Sequence, residues 1–297
     1  MNTLVSGITF IKNGLSLGYP IKESIESIEP MCDEIIINVG FDDPDCTQDD
    51  GTFEYLKNHF NHQKYRFLKS YWDPAKTKSG LILSEQTNIA LKAATGEFIH
   101  YIQGDEAIHE EDFPAIHDGI MKMKEDSRIQ GLVFDYIHFY GNLDVVKHTR
   151  NTYRREVRII RNHIGLVSHL DAQGFRHSDG SKPNCTRVQA RIFHYGWARP
   201  KNIMAKKIKV MDRFYHGDEF DRHEKEQFEY RRIWGLKPFK GTHPRVVIPW
   251  VNQNKTELDV FQLKLSFEAA DLALVFSDAI EYLTDYRLGE FKNYRLL

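Results

Sequence analysis

In the first hundred residues, segments with the hydrophobic pattern of strands alternate with segments that have the pattern of helices. Strand-like segments occupy residues 4–11, 33–40, 64–72 and 97–103, and the run at 33–40 is almost continuously apolar. Segments with the apolar spacing of amphipathic helices lie between them, at residues 18–32, 51–60 and 83–96. Gly96 stands where a C-terminal helix cap is expected. Strands that alternate with helices in this way predict an α/β fold whose parallel strands are joined by crossover helices.

The pattern changes after residue 104. It predicts a helix at 112–126, and strands follow at 131–141, 155–162 and 187–197. Later segments favour helices, above all residues 258–286, where Leu263, Phe267, Ala270 and Leu274 have helical spacing. A break near residues 215–221 predicts two units, a main domain at 1–215 and a mainly helical subdomain at 216–297.

Two adjacent acids follow the fourth predicted strand, in the stretch FIHYIQGDEAIHEEDF at 98–113. Ligands of open parallel sheets bind beyond the carboxyl ends of the strands, where Asp105 and Glu106 are expected. Two ionised carboxylates repel each other in a dry site, and a divalent cation held by oxygen ligands relieves that repulsion. An isolated acidic pair is more often a solvated loop before a helix.

A second acidic loop follows the second strand, in NVGFDDPDCTQDDGT at 38–52. Asp42 or Asp43 can accept hydrogen bonds from a base or a ribose. The alternative is a surface turn, because Asp, Asn and Gly are the usual turn residues.

The segments SGITFIKNG, EIIINVGFDD with its later DGT, and TNIALKAATGEFIHYIQGDE together resemble family 2 glycosyltransferases of bacterial or phage type, which have the GT-A fold. The resemblance covers residues 4 to 113 and weakens up to about 200. It implies a Rossmann-like, mixed and mostly parallel central sheet flanked by helices, with a helical C-terminal extension. It also implies an enzyme that transfers a sugar, with inversion, from a nucleotide-sugar donor to an acceptor glycan or another hydroxyl acceptor.

The resemblance assigns roles to several residues. Nucleotide or donor contacts are expected from Asn13, Asp42 or Asp43, Asn88 and Gln103, and Mn²⁺ or Mg²⁺ from ligands Asp105, Glu106 and His194. Gln103 departs from the family, which has an Asp there. Its amide can bond a ribose but lacks a carboxylate's charge. Lys76, in a loop after the third strand, is a further candidate for the diphosphate.

Acceptor activation calls for a carboxylate base. Asp171, in SHLDAQGFR at 168–176, is the first candidate, and Asp135, inside an apolar strand, is the second. The alternatives are that Asp171 caps a helix or pairs with Arg176, and that Asp135 is a buried acid paired with Arg158.

The segment RIFHYGWARP at 191–200 is the third candidate cluster. Tyr195 and Trp197 are candidates to stack on sugar or acceptor, whereas His194 could instead be a strand residue bonded to a carbonyl. Four cations follow, which could hold phosphates or form a solvated face: Arg199, Lys201, Lys206 and Lys207.

Composition excludes few classes of protein. A net charge of −2 gives no global attraction to nucleic acid or membrane. Three scattered cysteines without a CxxC pair argue against a zinc ribbon. Neither a leader nor an apolar stretch of about 20 residues is visible, which predicts a cytoplasmic protein without an integral membrane span. The C-terminal helices could join two copies as a homodimer.

Three other functions compete with glycosyl transfer. A sugar nucleotidyltransferase is disfavoured because a dense Gly-rich phosphate loop is missing. A non-catalytic binder of the same fold stays open because of Gln103. A hydrolytic metal site in HGDEFDRHE at 216–224 is disfavoured because it lacks HExxH.

Overall fold

The structure, a computed structural model, describes residues 4–73, 76, 80–216 and 228–297. The first half contains β1 (Val5–Ile11), α1 (Ile21–Ile28), β2 (Glu34–Phe41), α2 (Thr52–His59), β3 (Tyr65–Tyr71), α3 (Leu81–Ala93), β4 (Phe98–Tyr101), β5 (Glu106–Ile108), α4 (Phe113–Glu125) and β6 (Gly131–Tyr140). The second half contains β7 (Asn142–Lys147), β8 (Arg155–Arg161), β9 (Leu166–His169), β10 (Gly174–His177), β11 (Asn184–Trp197), α5 (Lys201–His216), β12 (Leu236–Pro238), α6 (Ile248–Gln253), α7 (Asp271–Thr284) and β13 (Arg295–Leu296). Short 3₁₀ turns occupy residues 29–31, 110–112, 245–247 and 260–262.

One large mixed sheet organises the chain. Its main path runs β12-β7-β6-β8-β4-β1-β2-β3, and β11 branches from β6 to carry β5 and β13. Strands β3, β2, β1 and β4 are parallel, whereas β8 lies antiparallel between β4 and β6. Most paired residues lie in parallel ladders. The predicted α/β class, with a mixed and mostly parallel central sheet flanked by helices, is confirmed.

Helices cover both faces of this sheet. Ile35 and Ile37 of β2 pack in the same cluster as the isoleucines of α1, whereas Ile36 packs with α3 on the opposite face. Side chains that alternate along a strand while staying buried explain the continuous apolar run of β2. Because helices cover both faces, a ligand can reach the sheet at the end where the carboxyl termini of β1, β3 and β4 lie.

Gly96 does not cap α3. The helix ends at Ala93, and Ala94 is already extended. The amide of Gly96 donates to Ser6 Oγ at 2.7 Å, and a Cβ at position 96 would lie 2.7 Å from the Ser6 backbone nitrogen. Glycine is required here because the chain passes close to β1.

Helix α7 lies inside the predicted helical segment, but residues 258–286 are not one helix. Helix α7 begins only at Asp271. Before it, Leu265 forms a bridge with Arg232, and the Ser266 amide donates to the Arg232 carbonyl at 2.8 Å. These backbone groups form hydrogen bonds with the segment around Arg232, so they are not available for hydrogen bonds within a helix.

The boundary between 1–215 and 216–297 stays a prediction. Helix α5 ends at His216, and 217–227 lie outside the described residues, as does nearly all of the HGDEFDRHE segment. Residues 228–297 pack on the rest of the chain, since β12 pairs with β7 and Tyr230 shares an apolar cluster with Tyr140.

The outer face of α7 carries exposed apolar side chains, Leu272, Phe276, Tyr282 and Leu283. The predicted homodimer stays a prediction. Among the described residues, none of the helices combines the length and the apolar character needed to cross a bilayer.

Candidate active site

A cavity of about 450 Å³ opens at the carboxyl ends of the parallel strands. Phe10 to Asn13 at the end of β1, Trp72 after β3 and Gln103 to Asp105 after β4 form its floor. Helix α5 forms a side wall through Met204, Lys207, Ile208, Met211 and Tyr215. Of the predicted site residues, the cavity brings together Asn13, Gln103, Asp105, Asp171, His194 and Trp197.

Asp105 is the centre of the charged end of the cavity. Its Oδ2 accepts a hydrogen bond from Lys207 Nζ at 3.0 Å, and lies 3.7 Å from His194 Nε2 and 3.9 Å from Arg199 Nη2. Burial alone would raise the pKa of this carboxyl, but the neighbouring Lys207 and Arg199 cations outweigh that and hold the pKa well below its usual range. Asp105 is therefore a carboxylate at neutral pH.

Glu106 points away from the cavity. Arg158 binds its two oxygens through Nε at 3.0 Å and Nη2 at 2.7 Å, and the Tyr136 hydroxyl donates to Oε1 at 2.7 Å. Both charged side chains are fully buried. The carboxylate is satisfied inside the sheet, so the structure gives Glu106 an internal ion pair and not a place beside Asp105.

Gln103 uses its amide as a donor. Nε2 bonds the Tyr101 hydroxyl at 2.9 Å and the Ala172 carbonyl at 3.3 Å. A carbonyl is only an acceptor, so a carboxylate at position 103 could not make this contact. Gln103 thereby ties the end of β4 to the loop that carries Asp171.

His194 belongs to a buried chain of polar groups. The Nε2–H of His138 donates to the Tyr153 carbonyl at 2.6 Å, and the two histidine Nδ1 atoms are 2.9 Å apart. Burial lowers the pKa of His194 to about 4 and that of His138 to about 3, so both rings are neutral at pH 7. His138 Nδ1 is then the acceptor and His194 Nδ1–H the donor, which leaves His194 Nε2 unprotonated on the Asp105 side.

Asp171 lies in the turn between β9 and β10. Its neighbours Leu170 and Ala172 both have left-handed backbone angles, with φ of 50° and 59°. The Tyr215 hydroxyl donates to Asp171 Oδ2 at 3.1 Å. The predicted pairing of Asp171 with Arg176 does not occur, since Arg176 bonds Asn293 and the Gly180 carbonyl.

A second cavity, of about 490 Å³, adjoins the first. The two share Asp171, Gln173 and Tyr215, and the second is otherwise lined by His169, Leu170, Phe291 and Asn293. Asp171 therefore stands at the boundary between two spaces, which suits a group that acts on atoms from two substrates.

Tyr195 and Trp197 lie on different sides of β11. Tyr195 is buried, stacks on Phe139 with ring centroids 4.8 Å apart, and bonds His243 Nδ1 through its hydroxyl at 3.0 Å. Trp197 lines the cavity and is 44% exposed. Regular alternation would place His194 and Trp197 on opposite faces, but the β11 pairing with β6 shifts register between them, so both face the cavity.

The acidic loop after β2 reaches the cavity indirectly. Asp42 pairs with Lys12 at 2.5 Å, and Lys12 lines the cavity beside Asn13. Asp43 accepts from the Thr47 and Gln48 amides at 2.9 and 2.7 Å, so its carboxylate closes a turn. The structure thus gives the two candidates different surroundings.

Three other predicted residues lie outside the cavity. Lys76 is exposed and pairs with Glu85 at 2.6 Å. Asn88 holds both backbone groups of Ser168, at 3.1 and 2.8 Å, and so supports β9 before Asp171. Asp135 pairs with Arg155 at 2.6 Å and Arg187 at 2.5 Å, and not with Arg158.

An aromatic wall was not predicted from the sequence. Trp72 packs against Phe10 and Phe214, with ring centroids 5.8 and 5.1 Å away, and Tyr19 also lines the cavity. These residues come from four separate elements, so no local motif marks them. The helical spacing of Met204, Lys207, Ile208 and Met211 in α5 is the one signal that could have indicated a shared face.

The side chains that could bind a metal ion at the cavity do not fit a resident Mn²⁺ or Mg²⁺. Among the described residues, no three His, Cys, Asp or Glu side chains converge as ligands. Of the three predicted metal ligands, Asp105 and His194 lie 3.7 Å apart, and the Asp105 oxygen involved already binds an ammonium. Like unit charges about 4 Å apart repel by roughly 4 kcal/mol at the effective dielectric of a protein surface, and a divalent ion would double that. The predicted metal stays an expectation from the resemblance.

No protein-family model matches the sequence, and no curated protein is similar to it. Among solved structures, S. aureus TarS 1-349 is 14% identical over 70% of this chain and 64% of that chain, with a TM-score of 0.37. The same fragment with UDP-GlcNAc is 16% identical over 70% and 65%, with a TM-score of 0.36. The mannosyltransferase PcManGT from Pyrobaculum calidifontis, in complex with GDP-Man and Mn²⁺, is 16% identical over 47% and 36%, with a TM-score of 0.32. The chain spans less than two thirds of each of these structures.

Proposed function

We propose that the chain is a glycosyltransferase that moves a hexosyl or pentosyl group from a nucleotide-sugar donor to an acceptor hydroxyl. One observation carries the proposal. A single cavity at the carboxyl ends of the parallel strands joins a charged centre at Asp105, an aromatic wall around Trp72 and a carboxylate at Asp171. Those are the three parts that a diphosphate, a nucleobase and an acceptor proton require.

The reaction uses these parts in one displacement. The acceptor oxygen attacks the anomeric carbon, and the bond from that carbon to the diphosphate oxygen breaks. The bonding electron pair leaves on the diphosphate, and the acceptor proton passes to Asp171. A single displacement from the opposite face inverts the anomeric centre. Positive charge around Asp105 stabilises the leaving group.

The neighbouring cavity suits the acceptor, because it meets the first one at Asp171. Phe291 is 61% exposed there, and the exposed Trp197 lines the first cavity. Aromatic faces of this kind suit the apolar face of a sugar, so an acceptor glycan is the proposed partner. The predicted cytoplasmic location stays a prediction.

Donor turnover tests the function before the acceptor is known. The purified chain is incubated with UDP-, GDP-, dTDP- and ADP-sugars, and the release of nucleoside diphosphate by slow donor hydrolysis is measured. One donor class should be turned over. Asp171→Asn should lower the rate about 10²- to 10⁴-fold while leaving thermal stabilisation by the nucleotide intact. Asp179→Asn, at an exposed aspartate of a nearby loop, is the matched control.

Other outcomes would decide between the competing functions. Pyrophosphate among the products would indicate a nucleotidyltransferase. Nucleotide binding with no turnover, with any donor and a range of glycan acceptors, would indicate a non-catalytic binder. No stabilisation by any nucleotide would reject the glycosyltransferase proposal.

A further inference from the structure

We propose that Lys207 takes the place of a divalent metal ion, and that its ammonium binds the diphosphate of the donor directly. This inference rests on the proposed function and names the group that holds its leaving group. It makes nucleotide binding independent of metal, which is the opposite of what the resemblance to metal-dependent enzymes implies.

The ammonium is fixed at the wall of the cavity. Lys207 Nζ donates to Asp105 Oδ2 at 3.0 Å and to the Gly196 carbonyl at 2.9 Å. An ammonium has three N–H donors, so one is left for a ligand. Lys207 is 8% exposed and lines the cavity, and its Nζ is 5.3 Å from the Tyr19 ring centroid, so a ligand in the cavity can accept the third hydrogen bond.

A second buried cation stands behind the first. The guanidinium of Arg199 is 1% exposed, lies over the Tyr19 ring at 3.9 Å and bonds the Leu17 carbonyl. Its Nη2 is 3.9 Å from Asp105 Oδ2, yet Nε and Nη2 make no hydrogen bond within the described part of the chain. Two cations around one carboxylate leave a net positive charge, which an anionic ligand would balance.

The acids that a metal would need are used elsewhere. Position 103 is an amide that donates to the Ala172 carbonyl, and Glu106 is bound by Arg158 inside the sheet. Asp105 alone is left at the cavity, and its role here is to hold Lys207. Each of the three positions of the QGDE segment that could have supplied a metal ligand thus has another partner.

The matching ligand is a nucleoside diphosphate. An ammonium with one free donor, backed by a guanidinium, suits the charged oxygens of a diphosphate in an aromatic-walled cavity. A nucleoside monophosphate lacks the terminal phosphate and should depend on Lys207 much less.

Calorimetric titration tests the inference. UDP, GDP, dTDP and ADP are titrated into the full chain in EDTA and again in Mn²⁺, and the tightest binder is compared with its monophosphate. We expect binding in EDTA and less than about a threefold change with Mn²⁺. Lys207→Met should weaken the diphosphate about ten- to hundredfold, the loss expected for one charged hydrogen bond. Lys207→Arg keeps the charge and should retain most of the affinity.

Lys206→Met is the matched control, since Lys206 is exposed on the same helix, and it should change nothing. Binding of diphosphate only in Mn²⁺, with Lys207→Met as tight as the wild type, would overturn the inference and leave the glycosyltransferase standing with Asp105 and His194 as ligands. An equal loss for monophosphate and diphosphate in Lys207→Met would also overturn it. Absence of binding to every nucleotide, with and without metal, would reject the proposed function itself.

Discussion

His138 and His194 meet through their Nδ1 atoms at 2.9 Å, on two strands that lie side by side. The contact needs one donor and one acceptor, so the ring that accepts must be neutral at Nδ1. The Tyr153 carbonyl fixes which ring donates, because it takes the Nε2 proton of His138. The pair thus sets the orientation of the His194 ring beside Asp105.

Acid should destabilise the fold through this pair. The pKa of His138 falls to about 3 and that of His194 to about 4, whereas both lie near 6.5 in an unfolded chain. Between these values the unfolded state binds protons that the folded state does not. The contribution of the two histidines to the free energy of unfolding is therefore largest above pH 6.5. It falls as the pH drops toward 4, by about 1.4 kcal/mol per pH unit for each histidine.

Urea unfolding from pH 4.5 to 7 measures this slope. His138→Asn keeps an acceptor for His194 but cannot titrate, so the slope should become shallower by about 1.4 kcal/mol per pH unit. His117→Asn, at an exposed histidine of α4, is the control and should leave the slope unchanged. Equal slopes for the wild type and His138→Asn would show that the pair is not neutral in the fold.

Glu156 should give a pH dependence of opposite sign. It is 1% exposed in β8, and burial raises its pKa to about 8. Between its unfolded pKa near 4.5 and pH 8, the folded state keeps a proton that the unfolded state releases. The free energy of unfolding is not reduced by Glu156 below pH 4.5, and it decreases as the pH rises from 4.5 toward 8.

Glu156→Gln keeps the shape and removes the titration. The variant should gain stability over the wild type as the pH rises from 5 to 8, and the difference should level off above 8. Urea unfolding at pH 5, 7 and 9 measures it. Glu125→Gln, at the exposed end of α4, should track the wild type. A constant difference at all three pH values would contradict the raised pKa.

Most of the fold could be predicted because its signals are local. The isoleucines of α1 and the continuous apolar run of β2 each report on their own segment, and burial on both faces follows from them. The failures have non-local causes. Gly96 is set by the approach of β1, and residues 263–270 are set by a bridge to Arg232, neither of which leaves a mark in the neighbouring sequence.

The site shows the same division. Asp105 and Asp171 could be located from the end of a strand and from a resembling motif, and both line the cavity. Glu106 has the same local sequence context as Asp105, but its direction depends on Arg158, which is 52 residues away. Lys207 looks like one of several exposed lysines until the packing of α5 shows it buried against Asp105.

Glu106 and Arg158 should matter for stability and not for nucleotide affinity. Glu106→Gln leaves a buried guanidinium without its counter-charge, so we expect a loss of about 3–5 kcal/mol in the free energy of unfolding. Arg158→Met should be similarly costly. The double variant should lose less free energy of unfolding than the two single variants together, because it leaves no unpaired charge. Urea unfolding of the four proteins gives the coupling, and additive losses would contradict a direct ion pair.

Gln103 should act through the loop that it holds. In Gln103→Glu the donor to the Ala172 carbonyl is replaced by a carboxylate of the same length, which repels that carbonyl and displaces Asp171 next to it. Small misplacements of a reacting group are costly, so kcat for donor hydrolysis should fall about ten- to hundredfold, with little change in KM. Gln103→Met removes the donor without the repulsion and should lose less.

The same variant separates the two roles for position 103. In one role, position 103 needs a carboxylate, as in the enzymes that the sequence resembles, and Gln103→Glu should then raise activity when Mn²⁺ is added. If the amide is needed to place Asp171, activity should fall equally in EDTA and in Mn²⁺, and Gln103→Met should lie between the variant and the wild type. We expect the second result, because the Ala172 carbonyl offers a carboxylate nothing to bind, whereas it accepts a hydrogen bond from the amide.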